Sequence, residues 1–119
     1  MQWTEVVERR SGDVVILDVQ GNVTSGELPG RLSTAINRLV RQGDHKILLN
    51  LLHVSYIDSQ GLADIIDGFN TAQRAGGALK LCHIAKGMRE LLTVTKLATL
   101  IKVFDTEEEA LNSFHDAGS

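Results

Sequence analysis

Short, almost unbroken apolar runs alternate along this chain with longer segments in which apolar residues recur every three or four positions. The first kind reads as strands buried on both faces, the second as helices carrying one apolar stripe. Thr4 to Arg10 and Asp13 to Gln20 are two extended runs split by Ser11-Gly12, which predicts an antiparallel hairpin. The weaker alternation of the first run makes it the sheet edge. Val14-Val15-Ile16-Leu17 continues the second run to Gly21, and a loop carrying Asn22-Val23-Thr24-Ser25-Gly26 is expected after it. A helix then starts near Pro29, with Leu28, Leu32, Ala35, Ile36, Leu39 and Val40 as its stripe, and Gly43 ends it.

Lys46 to Leu52 is the most continuous apolar run and is expected at the centre of the sheet. The period then changes. Leu62, Ile65, Ile66, Phe69 and Ala72 fall on one face of a helix running to about Arg74, which Ala75-Gly76-Gly77 terminates. Leu79 to His83 reads as a further buried strand, and Met88, Leu91, Leu92 and Thr95 as a short amphipathic helix. Leu100 to Phe104 is the last expected strand. Thr106-Glu107-Glu108-Glu109 is a capping box opening a final helix buried through Ala110, Leu111 and Phe114. The order is β-β-α-β-α-β-α-β-α. It predicts an α/β fold in one domain over 1–119, with a mostly parallel central sheet and an antiparallel N-terminal edge strand.

Composition narrows the function classes. At 119 residues, with 43% hydrophobic and 23% charged residues, the chain suffices for a core without disulfides or metal. Aromatics are 4% and the net charge is -3, so the basic and aromatic interleaving that grips single-stranded nucleic acid is missing. No apolar run approaches the ~20 residues that span a bilayer, and Met1-Gln2-Trp3-Thr4-Glu5 does not read as a signal sequence. A cytoplasmic protein without membrane insertion is expected. Cys82 lies inside an apolar run and reads as core. Histidines 45, 53, 83 and 115 show no ligand spacing within any element, although His53 and His83 each follow an expected strand and could meet at one end of the sheet. Neither a metal nor a cofactor is expected.

The chemistry gathers where strand becomes helix, at Val54-Ser55-Tyr56-Ile57-Asp58-Ser59-Gln60-Gly61-Leu62. Asp58 or Ser59 is expected to cap the helix. Gly61, just inside it, omits a side chain where a partner or a phosphate could approach the backbone. The Gly21 to Gly26 loop and this corner should be neighbours at the carboxyl ends of the parallel strands, where ligands of such sheets bind. A hydrolase set of Ser59, a histidine and Asp58 is disfavoured because Asp58-Ser59-Gln60-Gly61 is not a Gly-x-Ser-x-Gly elbow. Ala75-Gly76-Gly77-Ala78 lacks the spaced glycines and lysine of a phosphate loop.

The element order and the corner Tyr56-Ile57-Asp58-Ser59-Gln60-Gly61-Leu62 resemble the STAS domain family, in particular its anti-sigma factor antagonists. The resemblance extends to Met88-Arg89-Glu90-Leu91-Leu92 and to Phe104 through Leu111, and so covers nearly the whole chain. It implies a regulatory protein, not an enzyme. Such a protein would bind an anti-sigma factor that is also a serine-protein kinase of the histidine-kinase-like ATPase fold. It would be switched off by phosphorylation of the corner serine, here Ser59, and a phosphatase would reverse the switch. The partner-binding residues implied are Asn22, Thr24, Asp58, Ser59, Gln60 and Gly61, in a monomer or weak dimer. An alternative is an accessory STAS subunit docked, without phosphorylation, on the ATPase of a membrane transporter. Two positions depart from the family pattern: Thr24 and Asn50 stand where acidic residues are usual. Both are expected near Ser59, where they bear on which kinase or partner is accepted.

Overall fold

The computed structural model describes residues 5–23, 31–57, 59–96 and 99–116. Five strands and four helices follow in the expected order: β1 (Glu5–Ser11), β2 (Val14–Val23), α1 (Arg31–Arg41), β3 (Lys46–Ile57), α2 (Ser59–Arg74), β4 (Ala78–Cys82), α3 (Lys86–Val94), β5 (Val103–Phe104) and α4 (Glu107–Asp116). The strands lie in sequence order across one sheet, β1 antiparallel to β2 and every other pair parallel. That order with right-handed crossovers puts the connecting helices on one face.

Strand alternation divides the core into two layers. Val15, Leu17 and Val19 of β2, Ile47, Leu49 and Leu51 of β3, and Leu79 and Leu81 of β4 meet the stripes of α1, α2 and α3. Their neighbours Val14, Ile16, Leu48 and Cys82 face the other way, against Ala110 and Phe114 of α4. Most of each stripe is buried: Leu32, Ile36 and Leu39 in α1, Leu62, Ile65, Phe69 and Ala72 in α2, and Met88 and Leu92 in α3, with Ala35, Val40, Ile66 and Leu91 partly buried against them. Thr95, expected on the α3 stripe, is exposed because the helix ends at Val94 and Thr95 is its C-cap. Leu28 and Pro29 lie outside the described residues. At α4, the Glu109 backbone N–H donates to Thr106 Oγ1 at 3.1 Å, and the Thr106 hydroxyl donates to the Glu109 carboxylate at 3.2 Å. The capping box therefore closes side chain to side chain.

Three boundaries differ from the sequence reading. The last strand begins at Val103 rather than Leu100, since its two residues pair only with Leu81 and Cys82 at the end of β4, and Leu100 is left exposed. Strand β3 runs on to Ile57 instead of stopping near Leu52, and Gly21, Asn22 and Val23 belong to β2 rather than to a loop. Both extensions come from irregular pairing. Between Asp18/Gln20 and Gly21/Asn22 the register shifts, so that twelve residues of β3 run beside ten of β2. The Asn50 side-chain oxygen accepts the Leu52 N–H at 3.0 Å inside the first irregularity, and Gly21 takes φ 90 at the second, a backbone that favours glycine. Such pairing is invisible to an alternation pattern.

Gly77, expected only to help end α2, has a second task. A Cβ there would stand 2.1 Å from the His45 carbonyl oxygen, where the Ala78 N–H donates to that same oxygen at 2.8 Å. The clash is with backbone and cannot be relieved by a rotamer. Gly77→Ala is expected to cost about 1–3 kcal/mol, read as a lowered urea midpoint with an unchanged slope.

Candidate functional site at the β3–α2 corner

The corner is built by the central strand handing over to a helix. β3 ends at Ile57 and α2 begins at Ser59; Asp58, expected with Ser59 as a cap candidate, lies outside the described residues. Ser59 and Gln60 are exposed, whereas Gly61 is buried. Ser59 and Gln60 are therefore what the first turn offers to solvent. No acidic residue lies in the first turn of α2, and the leading N–H groups of a helix lack intrahelical acceptors. The helix dipole favours negative charge at this end.

Pairing brings the second half of the predicted site alongside. Asn22 pairs with Tyr56 and Val23 with Ile57, so the end of β2 lies directly beside the corner, as expected of the two segments. Thr24 lies outside the described residues. Asn50 is not where it was expected. It points to the α4 face, where its amide donates to Glu107 Oε1 at 3.1 Å, and it lies seven residues before Ile57 on the strand, roughly 20 Å along it. Its partners explain its presence. Arg9 binds both Asp18 and Glu107, and the Arg9 guanidinium, with Asn50 assisting, holds the Glu107 carboxyl below its ordinary range against the opposing effect of burial. The cluster staples β1, β2 and β3 to the first turn of α4.

On the opposite face an apolar groove of about 340 Å³ runs between the last part of β3 and α3, lined by Leu51, Val54, Ile57, Ala85, Met88 and Leu91. Ile57 carries it up to the corner.

The remaining chemistry is structural. Cys82 is fully buried, and burial foremost, then the Glu107 and Asp18 charges, push its thiol from 9.0 up to about 12. The folded state therefore holds this proton more tightly than the unfolded chain. The associated stability is complete below pH 9 and is lost as the pH rises toward 12. Cys82 is expected to stay unreactive to Ellman's reagent at pH 8 in native protein and to react fully in denaturant. His53 is exposed, His83 leaves β4 through a left-handed backbone at φ 58, and among the described residues no group of three or more His, Cys, Asp or Glu side chains is placed to hold a metal.

One residue of the region escaped the sequence reading. Asp64, one turn into α2, reaches across to α1: its Oδ2 accepts the Leu32 N–H at 2.8 Å and its Oδ1 the Ser33 N–H at 3.1 Å. The only signal was indirect, an α1 whose first turn contains no acid.

The site is thus an exposed serine opening the helix after a central parallel strand, in a small mixed sheet with α4 folded back on its far face. The STAS domain model matches residues 5–110, and the chain belongs to that family. It is 29% identical over 101 residues to an anti-sigma F factor antagonist of Paenibacillus polymyxa, covering 82% of this chain and 84% of that protein. An anti-sigma factor antagonist from Mycobacterium paratuberculosis has the same fold, with TM-score 0.81 at 17% identity over 92% of each chain. So does the Bacillus cell fate determinant SpoIIAA in its phosphorylated form, with TM-score 0.71 at 19% identity over 93% of this chain and 98% of that one. Among the described residues no helix is long and apolar enough to cross a membrane.

Proposed function

We propose that this protein is a non-enzymatic regulatory binding module, an anti-sigma factor antagonist whose hold on a kinase-type anti-sigma factor is set by reversible phosphorylation of Ser59. The observation that carries the reading is the exposure of Ser59 as the first residue of α2, in a STAS chain with a relative named an anti-sigma F factor antagonist. The residues assigned to the partner surface are Asn22, Thr24, Asp58, Ser59, Gln60 and Gly61, of which Ser59 and Gln60 are exposed on the first turn of α2. Phosphorylation adds about -1.5 to -2 charge and three acceptor oxygens. The helix N-terminus tolerates such a group, so the fold survives, while a partner docked over the corner meets charge it must desolvate and repel. That a SpoIIAA neighbour was solved in phosphorylated form supports a fold compatible with the modification.

The test is intact-mass and site mapping of the protein recovered from its native cells, with and without phosphatase. A single phosphate on Ser59 is expected, together with co-purification of an ATPase of the histidine-kinase-like fold. No phosphate under several growth conditions, and co-purification of a transporter ATPase instead, would replace this reading with that of a docking subunit.

A further inference from the structure

Asp64 supplies to α1 what the sequence of α1 omits. The first turn of that helix contains no acidic residue to complement the positive end of the dipole. Leu32 and Ser33 are its second and third residues, whose N–H groups have no acceptor within the helix. The Asp64 carboxylate takes both, one per oxygen, at 2.8 and 3.1 Å from a residue 31 and 32 positions distant in the chain. This is a helix cap delivered by another helix, and the helix that delivers it is the one Ser59 begins.

The rest of the α1–α2 contact explains why a directional bond is needed. Gly68 lies four residues after Asp64 and hence on the same side of α2. A Cβ on Gly68 would fall 2.2 Å from Ile36 Cδ1, so the helices touch closely there, apolar surface on apolar surface. Such a contact fixes how far apart two helices stand but resists sliding along them weakly, because dispersion is non-directional. Two charge-assisted hydrogen bonds at the helix end are directional and remove that freedom.

We propose that Asp64 is a positioning residue for partner recognition. It locks the N-terminal turn of α1 to α2, so that the α1 end and the Ser59 corner meet the partner as one rigid surface. The proposal rests on the reading of the corner as a partner surface. Asp64 itself, half-buried against α1, contributes through the placement of α1 rather than by touching the partner.

The test uses the full chain as wild type, Asp64→Asn and Asp64→Ala. Its two readouts are amide hydrogen exchange resolved by residue and affinity for a purified anti-sigma factor of the histidine-kinase-like ATPase fold, measured on folded protein. In Asp64→Ala the Leu32 and Ser33 amides are expected to exchange about tenfold or more faster, with Leu49 and Leu81 amides in the sheet still protected and partner affinity about tenfold weaker. Asp64→Asn, which keeps one carbonyl acceptor, falls between the two on both readouts and replaces the alanine variant if that one fails to fold. Faster exchange with wild-type affinity would reduce Asp64 to a stabilising cap and overturn the proposal, as would unchanged exchange. Failure of the wild-type chain itself to bind would instead overturn the partner-surface reading, and this proposal with it.

Discussion

Ser59→Asp is expected to weaken binding to the anti-sigma partner by about 100-fold or more, while Ser59→Ala binds at least as tightly as the unmodified chain. The two substitutions differ by one charge at an exposed position on the first turn of α2. Neither touches the buried stripe of Leu62, Ile65 and Phe69, so both should fold with wild-type unfolding midpoints. A carboxylate at a helix N-terminus is favourable for the free protein. The loss must then appear in the complex, where a desolvated like-charge contact costs several kcal/mol, and about 100-fold corresponds to about 2.7 kcal/mol. Titration calorimetry with both variants reads the difference directly. Equal affinities would remove Ser59 as the switch, whatever its modification state in cells.

Phe114→Ala is expected to cost about 3–5 kcal/mol, a large part of the roughly 5–15 kcal/mol that holds a domain of this kind. Phe114 is 2% exposed and is the largest side chain in the smaller core, which otherwise consists of Val14, Ile16, Leu48, Cys82 and Ala110. Its ring also lies under the Lys80 ammonium, Nζ 4.4 Å from the ring centre, while Nζ donates to Ser113 Oγ at 2.9 Å. Lys80 is 8% exposed, and burial foremost, then Lys102 and Lys46, lowers its pKa. Deleting the ring leaves a cavity and takes from the buried cation the nearer of its two π faces, the Phe104 ring 5.9 Å away remaining. In a Lys80→Met background the second loss disappears, so Phe114→Ala should cost less there, and a double-mutant cycle by urea unfolding measures the difference. A loss below about 1 kcal/mol would mean that α4 is not integral to the fold.

The elements were legible because each is encoded locally. The apolar stripe of α2, the unbroken run of β3 and the capping box of α4 are properties of a few neighbouring residues, and burial selects the same residues that periodicity marks. The exposed serine at the strand-to-helix change was legible for the same reason. What was read wrongly involves two segments at once. Asn50 looked like a missing acid beside Ser59, but the face a strand residue occupies depends on register, and its register places it opposite Asp18 and under Glu107.

The sequence by itself determined the order of elements, the mixed sheet with its antiparallel edge, the aliphatic core and the position of the corner, since hydrophobic period and turn chemistry act over a few residues. Only the tertiary structure decided that β2 and β3 run on together past two register shifts to bring Asn22 beside Tyr56, that Gly77 lies against the His45 backbone, and that Asp64 caps α1. These depend on close approach between segments distant in the chain. A carboxylate or a missing Cβ reads the same in sequence whether it faces solvent or another helix, and packing assigns its partner.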